Sequence, residues 1–145
     1  MTLQTGNPAP EFTLPDENGD IVRLADLSGQ RVVLYFYPKD DTSGCTAEAC
    51  GIRDQFPHFQ TQNAKVLGVS PDDSQSHLAF KQKYSLPFAL LADTGQTVAE
   101  AYGARGPRGT KRITFVIDEQ GHIQHVFDKV SPAEHAEELL AILEK

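Results

Sequence analysis

The 145-residue chain has little cysteine and no excess of positive charge. Its 13 Lys and Arg stand against 20 Asp and Glu, a formal net charge of -7. That balance gives no electrostatic reason to bind nucleic acid or an anionic membrane surface. No apolar run is long enough to span a bilayer. The first residues, MTLQTGNPAPEF, have neither the basic region nor the apolar core of a signal peptide, so the cytoplasm is the expected compartment. There is no internal repeat and no low-complexity linker. Pro and Gly are spread as turn punctuation, and the length suits one domain, residues 1–145, with a sizeable core. Neither G-x-G-x-x-G after the first strand nor G-x-x-x-x-G-K-[ST] occurs, which removes both standard nucleotide fingerprints. The histidines His58, His77, His122, His125 and His135 are scattered, and none has ligand spacing to the cysteines. His122 and His125 lie on opposite faces of one strand. No metal is expected.

The two cysteines that are present fall in one run, Pro38-Lys-Asp-Asp-Thr-Ser-Gly-Cys-Thr-Ala-Glu-Ala-Cys50. In a compartment that keeps thiols reduced, such a pair is catalytic, redox-active or metal-binding more often than a permanent staple. The run follows Val32–Tyr37, apolar on both faces as a buried central strand is. Helical character begins near Gly44 or Cys45, and Ala49, Ile52, Phe56 and Phe59 form one stripe at steps of three and four. Pro57 predicts a kink or stop near Phe56.

Around this run, strands and helices alternate. Phe12–Leu14 and Ile21–Leu24 flank the turn signal Asn18-Gly19 and read as a hairpin that can cover one end of a sheet. Lys65–Val69 is a strand. Ser70-Pro-Asp-Asp opens a helix through Tyr84, with Leu78 and Phe80 among its apolar positions. Phe88–Ala92 is a strand and Gln96–Tyr102 a short helix. GARGPRGTKR is a loop. Ile113–Ile117 and Ile123–Phe127 are strands joined by a turn at Asp118–Gly121. Ser131 as N-cap, Pro132 at the first position and Glu134 at N3 open a last helix that buries Ala136, Leu139, Leu140 and Leu143. This order predicts a three-layer α/β domain with a mixed sheet.

Residues five apart in a helix sit about 7.5 Å apart along the axis and about 140° around it. That exceeds the Cα separation of roughly 7 Å beyond which a disulfide needs backbone movement. Cys45 and Cys50 therefore bond only if the helix start unwinds. Cys45 continues the buried stripe, and its place at the helix N-terminus favours a thiolate. Cys50 turns to the flank. The assignment is Cys45 as nucleophile and Cys50 as resolver, against two buried structural cysteines that happen to be close.

Nearby residues have two readings each. Thr42 can turn its hydroxyl toward Cys45 and accept from a substrate oxygen, or it can cap the turn. Pro38 can end the strand and shield the thiolate, or it is a turn former. Arg112 precedes the ITFVI strand and can place a guanidinium near Cys45 if that strand neighbours VVLYFY. Otherwise it is a solvated cation beside Lys111. Glu48 is read as N3, satisfying backbone donors.

The motif Pro38-x-x-x-Thr42-x-x-Cys45 resembles the active-site motif of peroxiredoxins. The wider run YFYPKDDTSGCTAEACGIRDQF resembles the bacterioferritin comigratory protein, or Q-type, subfamily. GNPAPEFTLPDENG, VSPDD, LPFALLAD, RITFVIDEQGHI and VFDKV look like family elements in family order. Ser43 departs from the proline of many relatives.

The resemblance implies a thioredoxin-like fold and a thiol-dependent peroxidase acting on hydrogen peroxide and organic hydroperoxides. It implies Cys45 as the peroxidatic cysteine, Cys50 as the resolving one in an intrachain disulfide, and Pro38, Thr42 and Arg112 beside them. A thioredoxin-type dithiol is the implied reductant. No haem, flavin or metal cofactor is implied, and a monomer is the expected form. The competing functions are a protein dithiol-disulfide oxidoreductase, against which the C-x₄-C spacing counts, and a non-catalytic redox sensor or adaptor built on the same switch.

Overall fold

The computed structural model describes residues 3–144. Strands β1 (Thr13–Pro15) and β2 (Ile21–Arg23) form an antiparallel hairpin, and a 3-10 turn, Leu24–Leu27, leads to β3 (Arg31–Phe36). Helix α1 spans Ser43–Asp54 and, after Gln55, α2 spans Phe56–Thr61. Then come β4 (Ala64–Ser70), α3 (Ser74–Tyr84), β5 (Ala89–Ala92) and α4 (Thr97–Ala101). A minimal hairpin of β6 (Arg105–Gly106) and β7 (Gly109–Thr110) occupies the stretch expected to be loop. Strands β8 (Ile113–Ile117) and β9 (Ile123–Phe127) and helix α5 (His135–Leu143) complete the order.

The main sheet runs β5-β4-β3-β8-β9, with β3, β4 and β5 parallel and β8 and β9 antiparallel. It is the mixed sheet expected from the element order. β3 lies at its centre because both of its faces are apolar. Val33, Tyr35 and Tyr37 face a core with α1, α2, α3 and α5. Val32, Leu34 and Phe36 face a second core with the β1–β2 hairpin and α4. The two successive parallel crossovers, β3 to β4 and β4 to β5, step the same way across the sheet, and their helices pack in one core. Burying one such large apolar side chain stabilises by about 1.5–3 kcal/mol.

Both sheet edges are covered, and the hairpin does part of that work. Glu17, in its turn, accepts from the Leu90 N–H on β5 at 3.0 Å. On the far edge, Gly6 N–H donates to Ile123 O and Ile123 N–H to Asn7 O, both at 2.8 Å. Such caps block edge-to-edge pairing. At the centre, β4 carries Gly68 opposite Tyr35. A Cβ there would meet the Tyr35 hydroxyl at 2.8 Å, so only glycine leaves room for the ring.

Two expectations are filled in and one is corrected. Pro57 does interrupt the stripe, but it starts a new helix, because its missing N–H costs nothing in the first turn. On α3 Phe80 is buried in the core and His77 is fully buried beside it, while Leu78 is half-buried. The last helix begins at His135, since Glu134 N–H bonds back to Ser131 O at 3.0 Å and closes a separate turn.

Candidate active site

The segment between β3 and α1 turns sharply, with Asp41 in the left-handed region at φ 58°. Two clamps hold it to α3. Asp40, buried, accepts from the Tyr37 hydroxyl, from Ser76 Oγ at 2.8 Å, and pairs with His77 Nδ1 at 2.8 Å. Asp41 accepts from Lys83 Nζ and the Tyr84 hydroxyl, each at 2.7 Å. His77 Nε2 lies 2.8 Å from Leu91 O, which ties the clamp to β5. The Asp40 backbone N–H reaches Asp72 Oδ2 at 2.8 Å. Asp40, Asp72 and His77 bring ligand atoms within 4.8 Å of one another, the one such cluster found among the described residues. Both Asp40 oxygens and Asp72 Oδ2 already accept hydrogen bonds from protein donors. The cluster is therefore built as a tether and not as an open cation site.

Thr42 is the N-cap of α1 with extended backbone, but its side chain caps no N–H. Its hydroxyl donates to Lys39 O at 3.0 Å, so it is not spent on Cys45 and its lone pairs remain free to accept. Pro38 is exposed at the bend after β3. Cys45 lies in the first turn of α1 and is 2% exposed. Cys50 is half-buried on the same intact helix, and both thiols are free.

β8 pairs with β3, as the reading of Arg112 required, with Phe36 opposite Ile113. Arg112, immediately before β8, aims its Nη2 at Cys45 Sγ, 3.4 Å away. Its Nη1 donates to Glu48 Oε1 at 2.7 Å. Gly44 makes the approach possible, because a Cβ there would meet Nη2 at 3.0 Å. Burial works against the guanidinium charge, but the Cys45 sulfur and the Glu48 carboxyl outweigh it and raise the Arg112 pKa.

Glu48 is the residue whose role the sequence reading missed. The helix starts at Ser43, so Glu48 is too far along to cap it. It is fully buried against Arg112. Burial pushes its carboxyl up to about 7, with the Arg112 charge and hydrogen bond pulling the other way. The available signal was its i+3 spacing from Cys45, which puts both on one helix face. A groove of about 760 Å³ between β1 and the starts of α3 and α4 is lined by other residues, Phe12, Asp73 and Val98 among them.

A cysteine in the first turn of a helix, beneath a fixed guanidinium and on a mixed α/β sheet, defines a thiol-based redox protein. Known proteins narrow that class. The family model described as AhpC/TSA family matches residues 5–126. Peroxiredoxin Bcp of Bacillus subtilis is 40% identical over 151 residues, covering 99% of this chain and 96% of that protein. The crystal structure of peroxidoxin BcpB from Mycobacterium tuberculosis superposes with a TM-score of 0.91 at 38% identity, covering 98% of this chain and 97% of that one. The Xanthomonas campestris bacterioferritin comigratory protein, solved as trapped intermediate and ligand complexes bearing on its alkyl peroxide reduction activity, gives 0.88 at 32% identity. The match covers 92% of this chain and 90% of that one. The chain belongs to the AhpC/TSA family, on its peroxiredoxin Bcp/Q branch, and is a thiol peroxidase with a thioredoxin-like fold. Among the described residues no helix is long and apolar enough to cross a membrane.

Proposed function

We propose that Cys45 is the peroxidatic nucleophile, Cys50 the resolving thiol, and Arg112, Thr42 and Pro38 the groups that shape the site around Cys45. The observation that carries this is the Arg112 Nη2 to Cys45 Sγ contact of 3.4 Å at the start of α1. The guanidinium and the helix N-terminus both bring positive charge to this sulfur. Thr42 has lone pairs free to orient the hydroperoxide, and Pro38 sets the bend that delivers Thr42 and the helix start.

The thiolate attacks the terminal oxygen of the hydroperoxide. The O–O bond breaks, the electron pair leaves on the oxygen bonded to the organic group (or, in hydrogen peroxide, the second OH), which is protonated to alcohol or water, and Cys45 becomes a sulfenic acid. Cys50 then attacks the Cys45 sulfur, and the S–O bond breaks with release of water. An external dithiol of the thioredoxin type reduces the resulting disulfide by exchange. Hydrogen peroxide and organic hydroperoxides are both taken as substrates; the Xanthomonas relative's alkyl peroxide activity supports the second. The cycle needs a reducing compartment such as the cytoplasm, and with both thiols on one helix it is complete in a monomer.

Resolution requires α1 to open. The clamps at Asp40 and Asp41 lie upstream of the helix, and Arg53 Nη1 donates to Tyr84 O at 2.8 Å near its end. The segment that unwinds is therefore bounded, from Thr42 to about Ile52. Peptide mass spectrometry after one equivalent of peroxide tests the assignment. A Cys45–Cys50 disulfide in the wild type and a trappable sulfenic acid at Cys45 in Cys50→Ser are expected. Sulfenic acid forming at Cys50 in Cys45→Ser at an equal rate would reverse it.

A further inference from the structure

Two side-chain oxygens buried among the described residues have no hydrogen-bond partner, Tyr35 Oη and Glu48 Oε2. Oε2 is the half of the Glu48 carboxyl not used by Arg112. It lies 3.9 Å from His135 Nε2, and both side chains are fully buried. His135 opens α5, the helix that packs on α1, and the Phe127 ring stands edge-on to it with centroids 5.2 Å apart. Its Nε2 is 2.7 Å from Thr114 Oγ1. Its Nδ1 is 3.2 Å from Glu138 Oε1, and the Glu138 side chain is 38% exposed. Thr114 stands two residues after Arg112, so β8 holds the imidazole and the residue at its entrance presents the guanidinium.

These contacts decide what His135 offers to Glu48. Burial lowers the His135 pKa, and the positive Arg112 lowers it further, while Glu138 pulls it up; the net effect keeps the ring neutral. A neutral ring has one N–H. Given to Glu138, it leaves Nε2 with a single lone pair, which takes the Thr114 hydroxyl at 2.7 Å and leaves Oε2, 3.9 Å away, without a donor. A bare Oε2 is disfavoured against that lone pair, whereas Oε1 on Arg112 is favoured. The groups facing Glu48 are Arg112 just before β8, His135 from α5, Tyr35 from β3 and Cys45 on its own helix.

We propose that His135, fixed by Thr114 and Glu138, is a positioning residue of the peroxidase site: it holds the Glu48 carboxyl so that Oε1 aligns Arg112 on Cys45, and it links that buried carboxyl to solvent for proton exchange. The inference rests on the reading of Cys45 and Arg112 given above. The row Cys45–Arg112–Glu48–His135–Glu138 leads from the thiol to the surface, with one gap, the 3.9 Å between Oε2 and Nε2. A rotation of the protonated carboxyl, with the Thr114 hydroxyl turned off Nε2, closes that gap to hydrogen-bond range.

The test is a double-mutant cycle on the reduced full-length protein. His135→Leu and Thr114→Val are made alone and in Glu48→Gln. Single-turnover oxidation of Cys45 by hydrogen peroxide is followed by rapid quench across roughly pH 5.5 to 9. Each single variant is expected to slow oxidation about tenfold, less than the roughly 10²-fold a 1 Å misplacement can cost, and to move the inflection of the pH–rate profile. In the Glu48→Gln background the same changes should alter the rate less than about twofold, because their route is gone. Equal slowing in both backgrounds would mean a structural role and overturn the proposal. So would unchanged rates and profiles in folded variants. Thr114→Val keeps the side-chain shape and supplies the reading if His135→Leu does not fold. Cys45→Ser is run alongside: turnover surviving there sinks the site assignment and this inference together, while its loss with unaltered His135 and Thr114 variants sinks the inference alone.

Discussion

Arg112→Ala removes two contacts at once, and they fail differently with pH. The first is the Nη2 donor 3.4 Å from Cys45 Sγ. Losing one donor at a reaction centre costs about 10²–10³ in rate. The second is the 2.7 Å partner of Glu48, whose side chain has 0% exposure. Removing one side of a buried pair destabilises by roughly 3–5 kcal/mol if the other side stays charged. Glu48 need not stay charged. Burial already raises it from 4.5 to about 7, and Arg112 is what holds it from rising further. Without Arg112 it keeps its proton beyond neutrality, and the penalty appears only where solution pH would remove that proton.

The sign follows from linkage. The folded carboxyl binds its proton more tightly than the unfolded one, so its contribution to stability is whole below 4.5 and is lost as pH rises through the folded value. In the wild type most of that loss has occurred by pH 7, and it amounts to about 3 kcal/mol. In Arg112→Ala it continues upward, at up to about 1.4 kcal/mol per pH unit. Urea unfolding of the reduced protein at about pH 6, 7.5 and 9 reads this, with Arg112→Ala/Glu48→Gln as the comparison. The deficit of Arg112→Ala should widen with pH, and Glu48→Gln should abolish the widening. A deficit that is constant with pH, or one that Glu48→Gln leaves intact, would refute the reasoning.

Three further outcomes are expected. Thr42→Val should slow Cys45 oxidation while costing only about 0.5–1.5 kcal/mol of stability, the worth of its one bond to Lys39 O; stopped-flow and urea titration separate the two. Gly44→Ala should displace the guanidinium lying 3.0 Å from the new Cβ, slowing oxidation with a change in stability under about 1 kcal/mol; a rate equal to wild type would mean Arg112 has room to spare. The oxidised protein should lose far-UV helicity and exchange amides faster between Thr42 and Ile52, while His77 on the clamp stays protected. Because opening frees Glu48 from its buried site, the oxidised segment should open more readily as pH rises from 5 to about 7; opening that eases as pH falls would contradict the assignment.

Much of this molecule was legible in the chain because periodicity and turn chemistry agree. The apolar run at β3 placed the sheet centre, and β8 and β9 were read to the residue, since each is bounded by clear turn signals. The helix stripe through Ala49, Ile52 and Phe59 is the buried face found. The guanidinium near Cys45 required β3 and β8 to be neighbours, which the residues alone left open and the resemblance supported. What stayed hidden depends on long-range partners. Glu48 looked like a capping residue, because a carboxylate near a helix start has a cheap local use. Only the fold brings Arg112 and His135 to it. In the chain His77 is only one of five scattered histidines, yet it takes a core position through its bonds to Asp40 and Leu91. For the same reason Arg112→Ala is expected to destabilise the fold, which a solvated cation beside Lys111 would not do.

The most direct test of the central claim is peroxide consumption by the wild type, Cys45→Ser and Cys50→Ser with a complete thioredoxin system supplied. The wild type should turn over continuously, Cys50→Ser should consume about one equivalent and stop, and Cys45→Ser should consume none. Sustained turnover by Cys45→Ser would contradict the account at its root. Sustained turnover by Cys50→Ser would leave the nucleophile in place but remove the intrachain disulfide and the helix opening built on it.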